Sequence, residues 1–435
     1  MLSRHGVPYG DYDSRAYRGY VLAVLTAVYA LNFIDRQLLV ILQEPIKLEL
    51  GLSDTQLGLL SGLAFAVFYV ICGIPIARLA ESRSRRNVIA FSIVAWSVMT
   101  AVCGLAQNYT QLLLARMGVG VGESGGSPPS HSMISDMYPP GQRSTALSIF
   151  STGVNIGILG GFLLGAWLNE FFGWRSVFLL VGLPGVLFAL LVGFTVAEPA
   201  RGRSDPHARE EVPPTVGQAV RLLWSKPTFR YVALACAMQS FGMYGMGSWF
   251  PSYLIRTHGM SVVEVGTWLA LLAGGVGALG ALAGGYLTDY LGQRDRRWYL
   301  WVPMIAGIVV VPFALAAFLV DSGHAALALN ALPLFLSYMY LGPTLAVAHS
   351  LVGARMRALT SALMFFVLNL IGMGLGPLFT GLTSDLLMPA VGADSLRYAL
   401  IATLALASLG GTLMYLGGAH HLRTDLARAG GISAS

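Results

Sequence analysis

Long apolar blocks alternate with short polar breaks along nearly the whole chain. Twelve blocks have the length a helix needs to cross a hydrocarbon core, about 20 residues. They fall at 18–42, 55–79, 87–106, 109–135, 144–171, 175–197, 231–255, 262–290, 298–320, 326–349, 358–384 and 396–418. The longest polar stretch, 198–229, contains RGRSDPHAREEVPP, rich in turn formers. It continues into TVGQAVRLLW, which predicts a short amphipathic helix on a membrane surface. The pattern predicts an all-α membrane protein of twelve transmembrane helices in two pseudo-symmetric six-helix bundles. The expected units are a tail over 1–17, a bundle over 18–197, a linker over 198–229, a second bundle over 230–418 and a tail over 419–435.

Two correspondences support an internal repeat. ARLAESRSRR (77–86) follows the second block and GYLTDYLGQR (285–294) follows the eighth, pairing Glu81 with Asp289 at an offset of 208. Arg143 precedes Asn155 by twelve residues at block five, and Arg357 precedes Asn369 by twelve at block eleven, an offset of 214. Two similar offsets near half the length point to a parallel repeat of six helices.

Composition agrees with the pattern. The 435 residues are 55% hydrophobic and 11% charged, against about 25% charged in soluble domains. The formal net charge of +6 does not point to nucleic acid, because the basic residues do not cluster with exposed aromatics. With the N-terminus in the cytoplasm, 21 of the 27 Lys and Arg fall on the cytoplasmic side. Lys47, Arg175, Arg256 and Arg397 fall outside, and Arg36 and Arg116 lie within spans. That asymmetry follows the positive-inside rule and predicts that both termini are cytoplasmic. Cys72, Cys103 and Cys236 all lie in apolar blocks, with no metal or disulfide spacing, and read as small packing residues. The polar start, with Arg4, Arg15 and Arg18, reads as a short tail rather than a secretory signal.

The loop and span motifs resemble those of the major facilitator superfamily. Its loop motif is matched by Gly285, Leu287, Asp289 and Gly292. The first copy departs from it, with Ala77, Glu81 and Ser84 at key places, but keeps Arg85 and Arg86. RMGVGVGE in span four matches a second motif through Arg116, Gly120 and Gly122. NFIDR (32–36), RMGVGVGE and SDMYPPGQR (135–143) are similar to the narrower Spinster family. The superfamily resemblance covers the whole chain, and the Spinster resemblance is strongest in the first half. It implies secondary transport of amphipathic lipids such as lysophospholipids or sphingoid phosphates in animals, and much less about substrate in bacteria.

GVGESG (120–125) and GESGG (122–126) imitate a dinucleotide fingerprint and a nucleophile elbow. Both lie inside a membrane span without the strand that either motif needs. Close helix packing explains these glycines better, as it does Gly153, Gly157, Gly161 and Gly165 in span five. Pro128 and Pro129 are expected to kink or loosen the inner end of span four. His131 and His349, near span ends, read as structural more readily than as relays.

The charged residues embedded in spans are Asp35, Arg36, Arg116 and Glu123, all in the first half. Each would cost about 2.5–3.5 kcal/mol at mid-bilayer, so such groups persist when paired or facing a cavity. Arg116 and Glu123 lie seven apart on one helix face, and Asp35 is expected at the depth of Arg116. An Asp35–Arg116 pair is predicted, with Arg36 as an alternative partner for Asp35. Proton coupling is expected through Asp35, Glu123, Arg116 and Arg36, with static ion pairing as the plainer alternative. Arg36, Arg116, Asn155, Tyr244, Tyr340 and Asn369 are the expected substrate-lining residues. Glu81, Arg85, Asp289, Arg143 and Arg357 are expected to form a conformational latch.

The chain is thus expected to be a proton-coupled secondary transporter in the bacterial inner membrane, moving an amphipathic lipid or other organic anion by alternating access. A symporter of small aromatic or aliphatic carboxylates is the first alternative, and a passive scramblase or channel the second. No catalysis, metal or cofactor is expected. The expected partners are substrate, protons and membrane lipids, with the chain acting as a monomer.

Overall fold

A computed structural model of the protein describes residues 14–201, 216–353 and 356–432. The helices of the first part are α1 (Arg15–Ile41), α2 (Gln43–Leu50), α3 (Asp54–Ser61), α4 (Leu63–Ser82), α5 (Arg85–Leu105), α6 (Tyr109–Glu123), α7 (Ser127–Met137) and α8 (Pro140–Thr195). Then come α9 (Val216–Ser225), α10 (Pro227–His258), α11 (Val262–Leu271), α12 (Gly277–Gly292), α13 (Trp298–Leu319), α14 (Gly323–Ser337), α15 (Leu341–Ser350), α16 (Arg357–Val367), α17 (Gly376–Val391) and α18 (Ser395–Ile432). Every expected span coincides with helix. Residues 202–215 of the expected linker lie outside the described residues, and its amphipathic part is α9.

The interruptions have local causes. Spans five and six run together as α8 except at Gly173, whose φ of 72° is open mainly to glycine. Span four ends at Glu123 and restarts at Ser127, with prolines in the first turn of α7, where no amide donor is needed. Short π-helical segments, Leu272–Val276 and Leu368–Leu375, interrupt spans eight and eleven. The second stops just before Gly376–Pro377, where proline supplies no amide to the helical ladder.

By compactness the chain divides into two units, Met1–Leu42 with Val67–Glu211, and Gln43–Ala66 with Val212–Ser435. In the first, α8 packs along α1 through the predicted glycine ladder. A Cβ on Gly153 would sit 2.7 Å from the Thr26 carbonyl oxygen, and one on Gly157 2.5 Å from that of Ala30. Only hydrogen fits at such an approach, so the ladder sets how closely α8 carries α1. Gly157→Val should therefore destabilise the protein by at least about 1–3 kcal/mol through overpacking. Thermal unfolding in detergent checks this, against Gly193→Ala, where a Cβ meets nothing within 4 Å.

In the second unit, α10, α13, α15 and α18 meet around a core that includes Phe229, Val232, Cys236, Leu300, Tyr340 and Tyr415. Asp425 of α18 accepts a hydrogen bond from the Thr228 amide at 2.9 Å, satisfying a donor in the first turn of α10. Segment 43–66 packs with this unit. A Cβ on Gly58 of α3 would lie 2.5 Å from the Pro377 carbonyl oxygen of α17.

Candidate functional site

The four embedded charges meet in the first unit. Arg36 on α1 donates through Nε to Glu123 Oε2 at 2.7 Å, with the Glu123 side chain fully buried and that of Arg36 15% exposed. The Phe33 and Tyr69 rings flank the Arg36 guanidinium, at 4.9 and 5.0 Å from their centroids. Arg116 Nη1 lies 3.7 Å from Asp35 Oδ2, both side chains almost fully buried. The predicted Asp35–Arg116 pair is thus an ion pair without hydrogen-bond contact. The alternative, Arg36 as partner of Asp35, is replaced by Arg36 on Glu123. Adjacent residues on α1 point about 100° apart around the helix, so one turns to each end of the Arg116–Glu123 face.

Helix packing positions all four. Gly122 lets α6 approach α5 so closely that a Cβ there would lie 2.5 Å from the Trp96 amide nitrogen. Glu123 is the last residue of α6, where the helix dipole disfavours a carboxylate. The Arg36 contact offsets that cost. Asp35 is 2% exposed, and neither carboxylate oxygen has a hydrogen-bond partner among the described residues.

The remaining expected lining residues divide between the units. Asn155 is half-buried on α8 of the first. In the second, Tyr244 on α10 is half-buried and packs against the core that holds Tyr340. Tyr340 is only 4% exposed, at the N-terminal end of α15, where its carbonyl accepts from the Thr344 hydroxyl at 2.5 Å. Thr344 in turn contacts the Tyr415 hydroxyl at 3.2 Å. Asn369 is half-buried within the second π-helical segment, a distortion common at functional sites.

Of the expected latch residues, Arg85 and Asp289 have side-chain partners within their own units. Arg85 is 2% exposed and donates to Asp136 at 2.5 Å, to Glu198 at 2.8 Å and to Ser132 at 2.8 Å. Glu81 is exposed, with no ion pair to another described residue. Asp289 accepts from the Tyr299 hydroxyl at 2.7 Å. Arg143 is half-buried and Arg357 exposed.

Two charge clusters escaped sequence reasoning. In the second unit, Asp54 of α3 has a fully buried side chain that accepts from Arg256 twice at 2.8 Å, from Lys47 at 2.5 Å and from Ser384 at 2.7 Å. Arg256 also binds Glu44, and Asp385 accepts from the Asp54 and Thr55 amides. Asp54 follows Ser53 in a capping box with Gln56, which accounts locally for an acid there. Its distant partners leave no mark in the pattern.

The second cluster is Asp295, between α12 and α13. Hydrogen bonds from Arg297 lower its carboxyl to about 2, helped by Arg423. A lowered pKa means the stabilisation is complete above the usual carboxylate range and is lost as pH falls towards 2. Arg423→Ala should raise the Asp295 pKa and move that loss to higher pH. Carboxyl titration by NMR would show it, and an unchanged midpoint would count against a role for Arg423.

A family model of the Major Facilitator Superfamily matches residues 25–377. An MFS-type efflux pump of Mycolicibacterium smegmatis is 35% identical over 405 residues, 93% of this chain and 93% of the relative. A probable galactarate/D-glucarate transporter of Bacillus subtilis is 27% identical over 321 residues, 67% of this chain and 70% of the relative. Among solved structures, the fold is similar to a bacterial homolog of the human lysosomal transporter Spinster, captured inward-facing and unoccupied. The TM-score is 0.87 and the identity 34%, covering 94% of this chain and 98% of that one.

Proposed function

The chain belongs to the major facilitator superfamily, and on that footing we propose that it couples proton movement to the transport of an amphipathic organic anion. The observation that carries this reading is the buried set of Asp35, Arg36, Arg116 and Glu123. A passive scramblase or channel has no use for four ionisable groups in apolar surroundings, which are expensive to keep there. Protonation of Asp35 releases its hold on Arg116, which then offers charge to an anionic headgroup. Arg36, between two aromatic rings, offers a second cationic contact with an apolar border. Tyr244, Asn155 and Asn369 are proposed as further substrate contacts, and Tyr340 as support behind Tyr244. Both termini are proposed to face the cytoplasm of a bacterial inner membrane, with the chain working as a monomer.

The Spinster resemblance, which implies amphipathic lipids in animals, motivates a lysophospholipid-like or sphingoid-like substrate as the first reading. The name of the Bacillus relative supports a second reading, in which the anion is a small carboxylate. Purified protein in liposomes with an imposed pH gradient tests both, using a fluorescent lysophospholipid and radiolabelled D-glucarate as probes. Gradient-dependent accumulation of one of them is expected. Equal flux with and without the gradient would replace coupling with passive movement.

The latch is proposed to form only when the cytoplasmic side closes. Glu81 and Asp289 would then approach Arg143 and Arg357, near the starts of α8 and α16, where the helix dipoles also favour a carboxylate. Glu81→Gln and Asp289→Asn should shift spin-label distances between residues flanking these helices towards the inward-open state. Identical distance distributions in both variants and the parent would remove the latch.

A further inference from the structure

Inside the first unit, two small voids lie on either side of one side chain. The first is lined by Leu31, Asp35, Trp96, Ser97, Thr100 and Gly182 among others, so Asp35 forms part of its wall. The second is lined by Tyr29, Asn32, Trp96, Ser127, Ser130 and Phe150 among others. Each has room for about one water molecule. Asp35 lines one and Asn32 the other, and the two Asp35 oxygens, with Arg116 Nη1 3.7 Å from Oδ2, and Asn32 Oδ1 are buried acceptors that make no protein hydrogen bond among the described residues. Asp35 is 2% exposed and Asn32 4%. Polar walls and orphaned acceptors are the conditions under which a void of this size takes up water.

The neighbouring hydroxyls are arranged to receive such waters. Thr100 donates its proton to the Trp96 carbonyl at 2.9 Å, and Ser130 donates to the Gly126 carbonyl at 2.7 Å. With their protons so committed, their oxygen lone pairs can serve as acceptors for a water. Asn32 stands one turn before Asp35 on α1, so the two acceptors share a helix face. Ser130 is followed on α7 by His131, an exposed residue whose ring meets Phe150 edge-on at 5.0 Å.

We propose that Asp35 exchanges its proton through the interior of the first unit, over two water sites separated by Trp96 and ending at Ser130 and His131. This inference rests on Asp35 being the coupling residue. It departs from a route over Glu123, whose carboxylate is held by Arg36. The charged and titratable groups around the path are Tyr29 and Arg36 on α1, Cys103 on α5, Arg116 and Glu123 on α6, and His131 on α7. The α5 and α8 side chains lining the voids are uncharged. Trp96, 3% exposed and common to both voids, divides the path, so motion of its indole gates proton passage.

The test measures proton arrival at Asp35 directly, with the full-length protein in phosphatidylcholine vesicles. Time-resolved infrared difference spectra after a pH jump report the carboxylic acid band that disappears in Asp35→Asn. Asn32→Leu, which fills the outer water site with a methyl, should slow that band about 100-fold, the scale of a lost proton-transfer partner. Its equilibrium midpoint should stay in place, and Asn32→Ser should restore the rate. A rate slowed by Glu123→Gln and untouched by Asn32→Leu would overturn the route and send the proton over Glu123. If no band vanishes in Asp35→Asn at any pH, the coupling role itself fails, and the route fails with it. Should Asn32→Leu not fold, Ser97→Ala with Thr100→Val, at the inner site, makes the same prediction.

Discussion

Asp35→Asn combined with Glu123→Gln is expected to abolish accumulation driven by a pH gradient while leaving the protein folded and able to exchange substrate across the membrane. The two carboxylates serve different arginines, Asp35 facing Arg116 and Glu123 hydrogen-bonded to Arg36. In surroundings of low dielectric, each acid controls whether its arginine is held or released. A neutral amide in both places leaves the arginines permanently available, so anion binding persists without a proton to drive it. Exchange of internal for external substrate needs no net proton movement and survives. Uptake into liposomes with and without a gradient, beside counterflow in the same vesicles, separates the two. Undiminished gradient-driven accumulation by the double variant would reduce the cluster to a structural ion-pair set. Arg116→Ala differs from both, because it should lose binding and leave Asp35 buried without its cation.

The second large effect is on stability. Arg256→Ala should destabilise the protein by about 3–5 kcal/mol, the range for breaking a buried pair by removing one member. Arg256 grips both oxygens of Asp54, whose side chain is fully buried, and reaches Glu44 as well. Its loss leaves Asp54 with Lys47 and Ser384 alone. Arg256→Lys keeps the charge but not the two-pronged fork, and should fall between the two. Because neighbours in one network do not add, Asp54→Asn with Arg256→Gln should recover part of the single-variant loss. Thermal unfolding in detergent across this set gives the coupling. A loss below about 1 kcal/mol for Arg256→Ala would class the cluster with exposed surface pairs.

Legibility followed range along the chain. All twelve spans, the glycine face of α8, the proline-led restart at Ser127 and the amphipathic α9 were readable, because each depends on residues within a few turns of one another. The candidate site was readable as a set of residues. A charge in an apolar span is costly enough to announce itself without any partner in view. The Asp35–Arg116 pair was readable from helix depth and periodicity, whereas Arg36 on Glu123 was not, because it depends on the rotation of α1 against α6. The close approaches at Gly157, of α8 to α1, and at Gly122, of α6 to α5, contribute to that placement from residues far apart in the sequence.

Outside the spans even the set was obscure. Asp54 and Asp385 stand 331 positions apart on helices that pack in the same unit, and at their places in the sequence they look like ordinary helix-end acids. Arg85 shows the same thing from the other side. Its motif placed it in the expected latch set, but the partners that bury its guanidinium, Asp136 and Glu198, left no mark in that motif. The membrane class, helix number and repeat were set by local hydrophobicity and composition, which act on each segment independently. The partners of every buried charge, and the two voids around Trp96, were decided by tertiary packing, since an ion pair or a water site exists only where side chains distant in sequence come within contact distance.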